Sequence, residues 1–173
     1  MTIAIEPTAS GVDRPVQYVA GEFREVLGQF ASGVTVITAM DGEVPVGFTC
    51  QSFSSLSLEP PMVLFCPTRT SGTWQRIQHL GHFTVNVLEE TQMRVSGTFA
   101  QRRDDRFDGV SWTPGENGAP RIRGALAHID AELTQVIAGG DHDIAIGRVV
   151  ATARRTAGRP LLFFRSNYQT IAR

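Results

Sequence analysis

Short apolar, β-branched runs separated by turn residues recur along most of the chain, and this pattern restricts its folding options more than any other feature. Val34-Thr35-Val36-Ile37-Thr38 has strand character. Asp41-Gly42 follows it, a pair that tolerates the positive φ of a tight hairpin. The returning strand covers 44–51, with Pro45 marking an edge position or a bulge. Further strands are predicted at 62–66, 82–88, 125–137, 143–152 and 161–164. Helical periodicity is confined to three places. Phe23, Val26, Leu27 and Phe30 recur at i, i+3, i+4 and i+7, which puts four apolar side chains on one face. Trp74, Ile77 and Leu80 follow Ser71, a candidate N-cap, and the pattern stops at Gly81. Residues 89–100 carry a modest apolar face through Met93 and Val95. Many short strands with few, peripheral helices predict a mainly antiparallel β-barrel with flanking helices, not a parallel α/β sheet.

A chain of 173 residues fits one domain with a single core, expected over 21–173 after a mobile arm at 1–20. The arm has no apolar signal-peptide core and no run approaches a membrane span, so a cytoplasmic protein with no membrane partner is expected. A formal net charge of −1 gives no electrostatic reason to expect nucleic acid. Cys50 and Cys66 lack CxxC spacing and lie in apolar contexts, which favours free thiols over a disulfide.

The segment 46–71 carries the chemistry. Its first half is dense in hydroxyls: Thr49, Ser52, Ser54, Ser55 and Ser57. Backbone and hydroxyl donors on an otherwise apolar sheet suit a flat heterocycle with polar edges. Its second half ends in Pro67-Thr68-Arg69-Thr70-Ser71, just before a helical pattern. Helix N-termini offer unpaired N–H groups and partial positive charge, and arginine adds a forked donor for phosphate. Together the halves read as a site for a phosphate-bearing cofactor. No Rossmann fingerprint or Walker loop is present: Gly139-Gly140 lacks the further glycines and the strand-before, helix-after context.

These residues, with others in order along the chain, resemble the short-chain flavin reductase family, NAD(P)H:flavin oxidoreductases that supply reduced flavin to two-component monooxygenases. The matching segments are Leu27-Gly28-Gln29-Phe30, Gly33-Val34-Thr35-Val36-Ile37-Thr38, Gly47-Phe48-Thr49 leading to Ser52-Phe53, and Ser57-Leu58-Glu59-Pro60-Pro61. Phe83-Thr84-Val85-Asn86-Val87-Leu88, Gly140-Asp141-His142 and Pro160-Leu161-Leu162-Phe163-Phe164 continue the series. Cys50-Gln51 departs from the Ala-Asn of many members; with Phe65-Cys66-Pro67-Thr68 it looks most like the reductases of actinobacterial steroid-ring hydroxylases.

The resemblance implies a split β-barrel, a homodimer with its flavin groove at the interface, FAD or FMN as flavin, NADH (NADPH also open) as reductant, and a monooxygenase partner. It places Val46, Gly47, Phe48, Thr49, Gln51 and Ser52 along the isoalloxazine and ribityl chain. Cys66, Pro67, Thr68, Arg69, Thr70 and Ser71 would hold the phosphate end, with Arg69 as the charged contact. His142 and Tyr168 would flank the nicotinamide. A pyridoxamine-phosphate-oxidase-like barrel with tightly held flavin, or a non-catalytic flavin-binding module, are the other readings.

The remaining polar residues each have a plainer alternative. His142 in Gly140-Asp141-His142-Asp143 is either a cofactor contact or a turn histidine paired with a neighbouring aspartate. A metal on Asp141, His142 and Asp143 is disfavoured, because adjacent strand residues alternate faces. His79 and His82 are separated by a helix-breaking Gly81, and His128 reads as structural. No Gly-x-Ser-x-Gly elbow supports a hydrolase. Tyr168 is a site aromatic or a packing residue. Trp74 is expected in the core and Trp112 at an interface, within a Gly- and Pro-rich loop at 108–121 that reads as a lid or arm. Arg102-Arg103-Asp104-Asp105-Arg106 is either a solvated loop or the arginine-lined mouth of an anion site.

Overall fold

The computed structural model describes residues 19–172. The expected arm therefore lies outside the described residues except for Val19 and Ala20, and Ala20 already opens the first helix. The elements in chain order are α1 (Ala20–Leu27), β1 (Ser32–Gly33), β2 (Thr35–Asp41), β3 (Val44–Cys50), β4 (Ser54–Leu58) and β5 (Pro61–Phe65). They continue with α2 (Gly72–Leu80), β6 (His82–Val87), a 3-10 turn (Glu90–Gln92) running into α3 (Met93–Ala100), β7 (Trp112–Pro114) and β8 (Pro120–Ile122). The chain closes with β9 (Ala127–Gly139), β10 (His142–Arg154), β11 (Leu162–Phe164) and β12 (Asn167–Gln169).

Seven strands form one antiparallel sheet in the order β3-β2-β6-β9-β10-β5-β4, the mainly β split barrel with flanking helices that the strand pattern predicts. β3 lies at one edge, where Pro45 loses no ladder bond to a second neighbour. The β2–β3 turn passes through Gly42 at φ 61°, as the Asp41-Gly42 signal requires.

Period-two alternation on β2 explains how one short strand serves two cores. Ile37 and Ala39 face a core with Phe65, Trp74, Ile77 and Phe83, which α2 covers. Val34 and Val36 face a second, with Leu88, Phe99, Ile122 and Leu161, which α3 and the β7–β8 hairpin cover. Trp74 is fully buried, as expected, in T-shaped contact with Phe65 at 5.6 Å.

One expectation needs correction, and two further features were not foreseen. The segment 108–121 is not a loose lid: it contains β7 and β8, pinned to the sheet by buried polar groups. Asn86 Nδ2 donates to Val36 O and Thr38 Oγ1, and Asn86 Oδ1 accepts from Ile122 N at 2.7 Å. Asn117 Nδ2 donates to Phe83 O at 2.8 Å. The hydroxyl-rich run after Ser52 is itself an edge strand, β4, folded back on β5. Among the described residues, the apolar side chains of α1 and of the turn after it stay largely exposed. Val26 is 67% and Phe30 80% exposed.

Candidate functional site: an arginine-lined cleft at the start of α2

A cleft of about 630 Å³ opens between β3, the N-terminus of α2 and the loop after α3. Phe48 and Thr49 form the β3 wall, Thr68, Thr70 and Ser71 the loop entering α2, and Phe99 the floor beside Gln101–Arg106. Ser71 caps α2, its Oγ accepting from Trp74 N at 3.3 Å, so the sequence-predicted cap sets where the helix dipole points. Gly47 is required beside Phe48, since a Cβ there would lie 2.8 Å from Ile37 O and 3.0 Å from the Phe99 ring. The missing Cβ lets the Phe99 ring of α3 pack directly on β3 at this point.

Four arginines, Arg76, Arg102, Arg103 and Arg106, line this cleft against one carboxylate, Asp104. Arg106 is the most fixed: its Nε donates to Gln101 O at 2.7 Å, and its Nη1 to Thr73 Oγ1 at 2.8 Å and Gly47 O at 3.3 Å. Burial pulls its pKa below the ordinary arginine value and Asp104 pulls the other way. It remains a cation at neutral pH. Arg76 is held by Asp41 and Arg103 by Asp105. Arg102 makes no hydrogen bond or ion pair with any described residue, which leaves its fork available to a ligand.

The residues predicted from sequence divide into groups. Phe48, Thr49, Thr68, Thr70 and Ser71 meet in the cleft. Val46 is buried in the main core, so only its backbone can face a ligand. Gln51 lines a second, smaller hollow with Phe30, Phe163 and Phe164. Ser52 ties the two halves of segment 46–71 together: its Oγ accepts from Cys66 N at 2.9 Å, donates to Cys66 O at 3.0 Å and lies 3.3 Å from Cys50 Sγ. Both cysteines are free, and burial pushes the Cys50 thiol up. Pro67 is buried, and its carbonyl accepts from Asp143 N at 3.0 Å. Arg69 is outside the cleft lining; its Nε lies 3.5 Å from Asp143 Oδ1, while Asp143 Oδ2 accepts from Trp74 Nε1 at 2.8 Å.

His142 and Tyr168 are not joined by any described contact. His142 Nδ1 is 2.8 Å from Asp141 Oδ1 and its Nε2 3.1 Å from Thr68 Oγ1, so both ring nitrogens are engaged. The His142 hydrogen bond holds the Asp141 carboxyl below its usual range. The Tyr168 hydroxyl bonds to buried Ser96 Oγ at 2.9 Å, and Ser96 O accepts from Thr49 Oγ1 at 2.7 Å. Tyr168 thus acts on the cleft wall through Ser96. His82 and His128 bond to backbone carbonyls, Leu80 O and Ile122 O.

Sequence reasoning missed Thr73 and Arg76, although both follow the anion loop on one α2 face at i, i+3 spacing. For 101–106 it left two readings open. The fold brings its arginines to the cleft, and pairing Asp105 with Arg103 leaves Arg102 uncompensated.

Comparisons with known proteins agree with this architecture. The flavin reductase like domain matches residues 27–172. The reductase subunit HsaB of a flavin-dependent monooxygenase from Rhodococcus jostii is 53% identical over 149 residues, covering 86% of this chain and 76% of its own. Among solved structures, nitrilotriacetate monooxygenase component B from Mycobacterium thermoresistibile superposes with a TM-score of 0.86 at 48% identity, over 88% of this chain and 86% of that one. The Streptomyces globisporus NADH:FAD oxidoreductase SgcE6, in complex with NAD and FAD fragments, gives 0.84 at 40% identity, over 88% and 92%. With a family match across most of its length, on a fold and a cleft built as described, the chain belongs to the flavin reductase like domain family.

Proposed function

We propose that the chain is an NADH-dependent flavin reductase that reduces FAD or FMN and passes the reduced flavin to a partner monooxygenase. Relatives with these activities at 40% identity and above support the reading. The observation that carries it is the cleft itself, where four arginines and a capped helix N-terminus face a wall of apolar ring and hydroxyl. That donor set suits a phosphate-bearing heterocycle. NADPH is the alternative reductant. The resemblance of Cys50-Gln51 and Phe65-Cys66-Pro67-Thr68 to the reductases of steroid-ring hydroxylases favours an oxygenase acting on a ring substrate, and the cytoplasm is the proposed compartment.

When bound, nicotinamide supplies a hydride and the flavin ring accepts it, so the chemistry belongs to the two cofactors. The chain binds and orients them. Arg102 and Arg106, with the Thr68–Ser71 loop, are proposed to hold phosphate; Arg69, already on Asp143, contributes less. As an edge strand, β3 offers one row of peptide groups that the sheet leaves unpaired, of which Gly47 O is taken by Arg106. The rest of that row, with the Phe48 and Thr49 side chains, is proposed to meet the flavin ring and ribityl chain. Ser52 keeps the ring-side and phosphate-side segments in register. His142 and Tyr168 are proposed for the nicotinamide side, where each offers ring surface because its polar atoms already have partners.

A homodimer completes the proposal, with α1 as part of the interface. Val26 and Leu27 on α1, with Phe30 in the turn after it, form an apolar face that the described residues leave largely exposed. The test of function is steady-state NADH oxidation with FAD, FMN or riboflavin added. Flavin-dependent turnover supports the reductase, and no turnover with a tightly held yellow flavin refutes it.

A further inference from the structure

The cleft wall contains a chain of three side chains that binding alone does not need. Asp141 Oδ1 lies 2.8 Å from His142 Nδ1, and His142 Nε2 lies 3.1 Å from the hydroxyl of Thr68, which lines the cleft. An isolated bridge pairing Thr68 with His142 fixes the backbone on both sides of this contact. An ionised carboxylate only accepts, so Asp141 holds the hydrogen on Nδ1. In neutral His142 the other nitrogen is therefore a bare acceptor, and it consumes the Thr68 hydroxyl hydrogen. When His142 takes a proton from solvent, Nε2–H donates to Thr68 Oγ1 instead. The hydroxyl keeps its own hydrogen and can turn it to the cleft. One protonation thus converts Thr68 from an acceptor to a donor in the cleft.

We propose that Asp141, His142 and Thr68 form a proton-linked relay in which the charge state of His142 decides whether the Thr68 hydroxyl donates or accepts in the cleft, so that an anion seated there draws a proton onto the imidazole. The proposal rests on the reading of the cleft as a phosphate site. It makes Asp141 a positioning residue for His142, and His142 one for Thr68. The charged groups around the relay are Asp141 on its own turn and Arg69, whose N–H donates to Asp141 O and whose guanidinium pairs with Asp143. Across the cleft stand Arg76, Arg102, Arg103, Arg106 and Asp104. A guanidinium stays charged across the physiological range, so arginines attract the anion without supplying the pH dependence. By linkage, a ligand that binds the protonated form more tightly takes up protons as it binds.

The test is isothermal titration calorimetry of the intact protein with FAD and with riboflavin, in buffers of different ionisation enthalpy. FAD is the probe because a terminal phosphate such as that of FMN titrates itself near pH ~6. The expected result is net proton uptake with FAD and none with riboflavin. FAD affinity should rise several-fold, up to about tenfold, from about pH 8 to about pH 6. Thr68→Ser should retain the uptake, Thr68→Val and His142→Asn should abolish it, and Asp141→Asn should move it to lower pH. FAD binding more tightly than riboflavin without proton uptake, or undiminished uptake in Thr68→Val, would overturn the relay and leave the phosphate cleft standing. Equal binding of FAD and riboflavin at every pH would overturn both.

Discussion

Arg102 and Arg106 differ in how much of their donor capacity the fold already uses. Arg106 spends three contacts on Gln101, Thr73 and Gly47, so replacing it loosens the cleft as well as removing charge. Arg102 has no described partner, and its replacement isolates the ligand contact. A charge-assisted phosphate contact is worth ~1.5–3 kcal/mol, so Arg102→Ala should raise KM for FAD tenfold or more, with KM for NADH and for riboflavin little changed. Arg69→Ala should do less, because Asp143 already engages that guanidinium. Gly47→Ala is expected to act on folding: its methyl would press on Ile37 O and the Phe99 ring. Overpacking of this kind costs ~1–3 kcal/mol, or about 2–4 °C in Tm for each kcal/mol, readable by calorimetry. The hydroxyls of Thr68, Thr70 and Ser71 stood out in sequence because loop and cap are local, whereas Arg69, expected there as the charged contact, lies outside the cleft lining. Arg102 and Arg106 were not separable from a solvated charge cluster, since their role depends on α3 delivering that loop to α2.

Among the elements, α2 is the one sequence described most fully, as cap, apolar spacing and glycine stop all lie within ten residues. Its N-cap at Ser71 and its left-handed Gly81 at φ 73° follow directly. The β7–β8 hairpin was illegible because what holds it is distant: Asn86, Asn117 and Asp130 reach it from β6, its own turn and β9. At the start of the 3-10 turn and α3, the Glu89 carboxylate accepts from Thr91 N at 2.8 Å and Gln92 Oε1 accepts from Glu89 N at 3.0 Å. The Thr91 hydrogen bonds hold the Glu89 carboxyl below its ordinary value. A carboxylate with a lowered pKa stabilises the fold above its unfolded value of ~4.3 and loses that contribution as pH falls through the folded one. Glu89→Gln should therefore lower Tm at neutral pH by the equivalent of at most ~1 kcal/mol. The gap to wild type should close below about pH 4. A gap that stays constant across that range would show that the ionised carboxylate is not what matters. If the exposed apolar face of α1 and its following turn forms the proposed homodimer interface, Val26→Asp with Phe30→Asp should give a monomer by light scattering and weaken flavin binding. An unchanged dimer would place the interface elsewhere.

For the whole molecule, the succession of short strands specified an antiparallel barrel because each strand carries its own local signature. The existence of two cores sharing β2 was hidden, since a strand buried on both faces shows only a continuous apolar run. The ordered motifs pointed to a flavin reductase, and the fold brings arginines beyond 66–71 to the same cleft as the Thr68–Ser71 loop. A flavin reductase takes flavin as a substrate and releases it reduced. The direct measurement is anaerobic incubation with NADH and a large excess of FAD, followed by ultrafiltration and spectroscopy of both fractions. Many equivalents of reduced flavin per chain are expected, recovered in the filtrate. Reduction of a single equivalent that stays with the protein would contradict that role.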